Sequence, residues 1–113
     1  MMAEIEVSAI REETQRIVQQ IVRRFHPLKV ILFGSYAYGQ PHEGSDLDLL
    51  VIVQNPLPRK ESWKVSSELT QRSSLPLQII FVSPEEFEET KDVVGGVIYP
   101  AHHWGKILYE ANA

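Results

Sequence analysis

Two short polar motifs, each set against an apolar run, constrain this chain more than any other feature. Gly34-Ser35 follows Val30-Ile31-Leu32-Phe33; after the ten residues 36–45 comes Asp46-Leu47-Asp48, which leads into Leu49-Leu50-Val51-Ile52-Val53. Short apolar, β-branched runs suit buried strands. Alternate side chains share a face of a strand, so Asp46 and Asp48 point one way while Leu47 and Leu49 point the other. Two carboxylates on one face can share a hard cation, and magnesium is usually held by one or two carboxylates plus the phosphates of its substrate. Gly34-Ser35 supplies the phosphate side: glycine lets the backbone come close, and the amides opening the next helical turn favour negative charge. The bland alternative is a strand-ending turn followed by a solvated strand start. Four specified residues at fixed spacing arise by chance on the order of once in a thousand chains of this length.

The flanking pattern alternates helices with strands. Between Glu4 and Phe25, Ile10, Ile17, Val18, Ile21, Val22 and Phe25 recur at helical spacing, and Arg23 and Arg24 suit the dipole of the last turn. Pro27 pushes His26 out of helical geometry. Leu28 to Phe33 reads as a strand, Ser35 to Tyr38 as a helical turn and Gly39 to Ser45 as a loop before the second strand, which ends at Gln54-Asn55-Pro56-Leu57-Pro58. Arg59 to Arg72 is expected to be helical with Trp63, Val65 and Leu69 inward, although its serines and threonine are indifferent helix formers. Leu75 to Val82 is a third strand. Ser83-Pro84-Glu85-Glu86 has a serine cap, a first-turn proline and a glutamate to reach back, which marks a helix start. Lys91 to Gly96 reads as a loop and Lys106 to Tyr109 as a last strand. The fold class expected is α/β (α+β), about four strands in a mixed sheet with helices packed on it.

At 113 residues the chain is expected to form one domain, 1–113, with one core. A net charge of −4, with no basic cluster beyond Arg23-Arg24 and Arg59-Lys60, argues against strong nucleic-acid binding and against a template-directed polymerase. Cysteine is absent, which removes disulfides, thiolate metal sites and thiol nucleophiles and fits a reducing compartment. The start carries no signal-like segment and no run is long enough to span a bilayer, so a cytoplasmic location is expected.

Phe33-Gly34-Ser35, Gly39 and Ser45-Asp46-Leu47-Asp48-Leu49 resemble the Gly-Ser, ten residues, Asp-x-Asp pattern of the minimal nucleotidyltransferases, the small prokaryotic branch of the superfamily that includes DNA polymerase β. Weaker matches extend to Ser83-Pro84-Glu85-Glu86-Phe87 and to Gly105-Lys106-Ile107-Leu108-Tyr109-Glu110. The resemblance implies a nucleotidyltransferase fold, ATP as substrate with magnesium as cofactor, attack of a hydroxyl on the α-phosphorus and release of pyrophosphate. It assigns Asp46 and Asp48 to metal binding and catalysis, and Gly34, Ser35 and Ser45 to the nucleotide. Larger relatives carry an additional helical domain for the acceptor, whereas the minimal members resemble half of a two-protein system. The implied partner is a HEPN-type toxin whose tyrosine would be the acceptor.

The same resemblance places a third acidic residue on a later strand, and the matching position here is Gln78. It is the only polar side chain between Leu75 and Val82. Glutamine offers a metal one neutral oxygen and cannot take a proton from a hydroxyl, so chemistry is expected to suffer more than binding. A solvated strand edge is the simpler reading of Gln78. Tyr36 and Tyr38 stand where relatives often carry arginine. The alternative function is accordingly a catalytically impaired antitoxin or binding module that acts by stoichiometric partner binding, with a purely structural role the weakest option. Among lesser candidates, His102-His103 could be a metal pair, but adjacent residues diverge by about 100° on a helix, so surface or interface packing is the expectation. His42 is expected to be an exposed loop residue, Tyr99 and Trp104 to serve a partner face or the core, and Glu85 to Glu89 to be a solvated helix face.

Overall fold

The apolar stripe of the first segment becomes α1 (Glu4–Phe25), whose Ile17, Val18 and Ile21 are buried. It stops as expected: His26 turns to φ 48° ahead of Pro27, while its N–H still donates to the Val22 carbonyl at 3.0 Å. The computed structural model describes residues 4–39, 46–73 and 75–111. Four strands follow, β1 (Lys29–Phe33), β2 (Leu47–Ile52), β3 (Leu77–Val82) and β4 (Lys106–Glu110), in the spatial order β3-β2-β1-β4. β1 pairs antiparallel with β2 and β4, and β2 pairs parallel with β3, so the sheet is mixed as expected. The helices are α1, α2 (Ser35–Tyr38), α3 (Arg59–Gln71), α4 (Pro84–Thr90) and α5 (Ile98–Trp104).

Period-two alternation splits the core into two layers. Val30, Leu32, Leu47, Leu49, Val51, Ile79 and Phe81 face α1 and α3. Ile31, Phe33, Leu50, Ile52 and Val82 face Phe87 of α4 and Ile98 and Ala101 of α5. Leu49 and Leu50 are wholly buried, one on each face, and burying a leucine contributes roughly 1.5–3 kcal/mol. α5 is absent from the sequence reading, because its seven residues contain Pro100 and two histidines and show too short a period to separate from a loop.

α3 corrects one expectation and explains another. Trp63 is 71% exposed, while Val65 and Leu69 are buried; Trp63 lies two positions, about 200°, from Val65 and so points outward. The hydroxyls that make this helix look weak have a use in the tertiary structure. Thr70 Oγ1 accepts from the Leu77 N–H and Ser66 Oγ accepts from the Ile79 N–H, both at 3.0 Å. These are outward-facing donors of β3, an edge strand, so α3 covers the open edge with side-chain acceptors. β3 begins at Leu77 rather than Leu75, since Pro76 has no N–H to give the ladder and the Leu75 N–H is turned onto Ser73 Oγ at 3.0 Å. α4 starts as expected, with Ser83 Oγ accepting from the Glu86 N–H at 3.0 Å.

Candidate active site

Register brings residues of three strands into one row, two of them polar. Phe33 pairs with Asp48, and Asp48 pairs with Gln78, so all three side chains emerge from the same face. That face also carries Leu50, Ile52 and Val82 further along. Asp46, two residues before Asp48, shares the face by alternation and is exposed at the strand entrance. Gly34 directly follows Phe33 with φ 78°, a conformation that suits glycine, and its carbonyl accepts from the Ala37 and Tyr38 N–H groups that close α2 at 3.0 and 3.1 Å. Ser35, the first residue of α2, is half-buried beside this turn.

Gly34 serves a purpose the motif alone does not disclose. A Cβ at this position would collide with the Asp48 carboxylate, chiefly Oδ2. The absent side chain is thus the seat of Asp48, and the glycine sets the two halves of the motif in contact. The other oxygen, Asp48 Oδ1, is buried with no hydrogen-bond partner among the described residues. A buried carboxylate oxygen without a donor is costly unless it pairs with a charge. Burial, with the neighbouring Asp46 charge second, pushes the Asp48 carboxyl up from the usual 3.8 to about 6. Two converging carboxylates, one with an unsatisfied oxygen, form an acceptor-only donor set that fits a divalent hard cation.

Gln78 sits beside Asp48 on the edge strand and is exposed. Tyr36 packs partly buried against the α1/α3 core layer, whereas Tyr38 is 42% exposed. Ser45 and His42 lie outside the described residues. Glu85, Glu86, Glu88 and Glu89 of α4 are all exposed, as expected for a solvated helix face. A groove of about 1120 Å³ runs between α1 and β4; Tyr36 and Leu47 line its end nearest the motif, but Asp46 and Asp48 do not line it.

Comparison with known proteins identifies the family and the fold. A family model described as a nucleotidyltransferase domain matches residues 11–99. The chain belongs to this family. Within it, MJ0141 of Methanocaldococcus jannaschii, provisionally named a protein adenylyltransferase, is 40% identical over 62 residues, which is 55% of this chain and 61% of that protein. The chain therefore matches less than two thirds of this curated relative. Among solved structures, a toxin-antitoxin crystal structure with AMP-PNP superposes with TM-score 0.62 at 20% identity, covering 88% of this chain and 73% of that one. A complex of a tri-AMPylated Shewanella oneidensis HEPN toxin with an MNT antitoxin gives TM-score 0.53 at 18% identity, covering 86% and 70%. At these identities the structures establish a shared fold: the nucleotidyltransferase fold expected from the motif.

Two aspects of this candidate site were not legible in the sequence. The Gly34–Asp48 contact depends on the β1–β2 register, for which the sequence offers no marker beyond the glycine itself. The adjacency of Gln78 to Asp48 depends on a parallel pairing across the whole of α3. The polar residue within an apolar strand was the available signal, and the register sets it beside Asp48.

Proposed function

We propose that this chain is a magnesium-dependent nucleotidyltransferase that moves AMP from ATP onto a hydroxyl, with a tyrosine of a HEPN-type partner protein as acceptor. The observation that carries the reading is the unsatisfied, buried Asp48 Oδ1, held against Gly34 and beside Asp46. Asp46 and Asp48 would hold the cation. A bound magnesium ion supplies positive charge to the triphosphate. Ser35 and the backbone at Gly34 would hold the terminal phosphates, with Ser45 as a further nucleotide contact. The acceptor oxygen attacks the α-phosphorus, the bond to the departing pyrophosphate breaks, and the hydroxyl proton is lost. Gln78 has no basic atom to receive that proton, so it passes to solvent and the transfer is slow. The relative named a protein adenylyltransferase and the structural neighbours containing AMP-PNP and an AMPylated HEPN toxin support the choice of nucleotide and partner.

The test is transfer of labelled AMP from ATP to the product of the neighbouring gene, with and without magnesium. Label on the partner that requires magnesium and disappears in Asp46→Asn and Asp48→Asn is the expected result. A silent wild type together with a silent Gln78→Asp variant contradicts catalysis. The exposed amide of Gln78 beside Asp48 favours one second reading, a binding module that neutralises its partner without turnover. Partner affinity unchanged by Asp46→Asn and Asp48→Asn, with no label transferred, selects that reading.

A further inference from the structure

A second set of metal-ligating side chains lies outside the site row. Asp92, in the turn after α4, and His102 and His103, in the last turn of α5, each offer one ligand atom, and these atoms all lie within 4.8 Å of one another. His103 Nε2 is 3.1 Å from Asp92 Oδ1. The two imidazole rings are held by packing. His102 stands edge-on to the buried Phe87, with centroids 5.5 Å apart and planes at 86°, and His103 lies 4.3 Å from the Tyr99 ring. Neighbouring histidines on a helix diverge at Cβ, yet these rings converge to 4.8 Å between centroids, and the turn brings in the carboxylate that neither the spacing nor the pair announces. All three residues are exposed, so an ion has free entry.

We propose that Asp92, His102 and His103 form a binding site for a zinc-like divalent transition metal, distinct in chemistry from the carboxylate site at Asp46 and Asp48. Zinc takes imidazole nitrogen at roughly 2.0–2.1 Å and carboxylate oxygen at roughly 2.0–2.2 Å in tetrahedral geometry, which sets ligand atoms about 3.4 Å apart. The existing separations close to that value through small side-chain rotations. Two imidazoles discriminate against magnesium, which selects oxygen ligands. Three protein ligands leave the fourth position to water. The metal would tie the turn at Asp92 to the end of α5 and so clip the intervening segment, which exposes Val93, Val94 and Val97.

The experiment is a zinc titration of untagged full chain by calorimetry, with cobalt absorption as a second readout, run on wild type and on the Asp46→Asn/Asp48→Asn double variant. One zinc per chain that survives in the double variant and is not displaced by excess magnesium is expected. Asp92→Ala, His102→Ala and His103→Ala should each weaken it by at least ~10-fold and remove the tetrahedral cobalt spectrum, while His26→Ala, at an exposed histidine outside the cluster, leaves both unchanged. The melting temperature should rise with zinc in wild type and not in those three variants. No zinc uptake, uptake abolished by the Asp46/Asp48 changes, or uptake that persists through the three alanine variants overturns the proposal. Because AMP transfer does not enter any readout, the result is independent of the proposed function.

Discussion

Asp48 is where stability and function pull apart. Its carboxyl sits at about 6 in the folded chain against 3.8 when unperturbed, because burial and Asp46 both disfavour the charge. The folded state therefore binds the proton more tightly than the unfolded state. That contribution is fully present below about pH 3.8 and is lost as pH rises through about 6. Half-exposure limits it to on the order of 1 kcal/mol after solvent screening. Metal-free protein should accordingly lose stability between pH 4 and pH 6 through this group, and Asp48→Asn should remove that loss and melt higher than wild type at pH 7.5. Equal denaturation midpoints for the two proteins at pH 7.5 would contradict this. Gly34→Ala should act in the opposite direction, destabilising by roughly 1–3 kcal/mol through its positive φ and the collision with Asp48. Gln78→Asp restores a proton acceptor beside Asp48 and should raise the rate of AMP transfer by roughly 100-fold, read as initial rates on the partner. At this scale the sequence spoke clearly: Asp46, Asp48 and Gln78 stood out by polarity within apolar strands, whereas the reason for Gly34 required the register.

The helices differ in how openly their sequences declare them. α1 has six turns of consistent period and a proline-enforced stop, and its extent was readable. α5 has under two turns, and no periodic signal accumulates over so short a span. α3 shows why propensity alone misleads: Ser66 and Thr70 cost helix stability locally but satisfy the donors of an edge strand. Ser66→Ala should destabilise the chain by about 1–3 kcal/mol, since it strands the buried Ile79 N–H, and should expose β3 to added hydrogen exchange. A change at exposed Trp63 to Ala should fall within about 0.5 kcal/mol. Denaturant unfolding of the two variants side by side checks both, and a reversal of their order would refute the edge-capping role of α3.

Over the whole molecule, a four-stranded mixed sheet with helices on both faces brings Phe33, Asp48 and Gln78 of three strands into one row. The alternation of helices and strands made this architecture legible, and the strand order was not, because β4 returns to pair with β1 from the far end of the chain. No described helix is long and apolar enough to cross a membrane. If Gly34-Ser35 and the Asp46/Asp48 pair make one metal-dependent nucleotide site, nucleotide binding requires both the carboxylates and the metal. Calorimetric titration of AMP-PNP into wild type, Asp46→Asn and Asp48→Asn, each with magnesium and with chelator, addresses it most directly. Binding should be tightest in wild type with magnesium and at least ~10-fold weaker with chelator or in either variant; affinity that is the same in all six titrations would contradict a shared site.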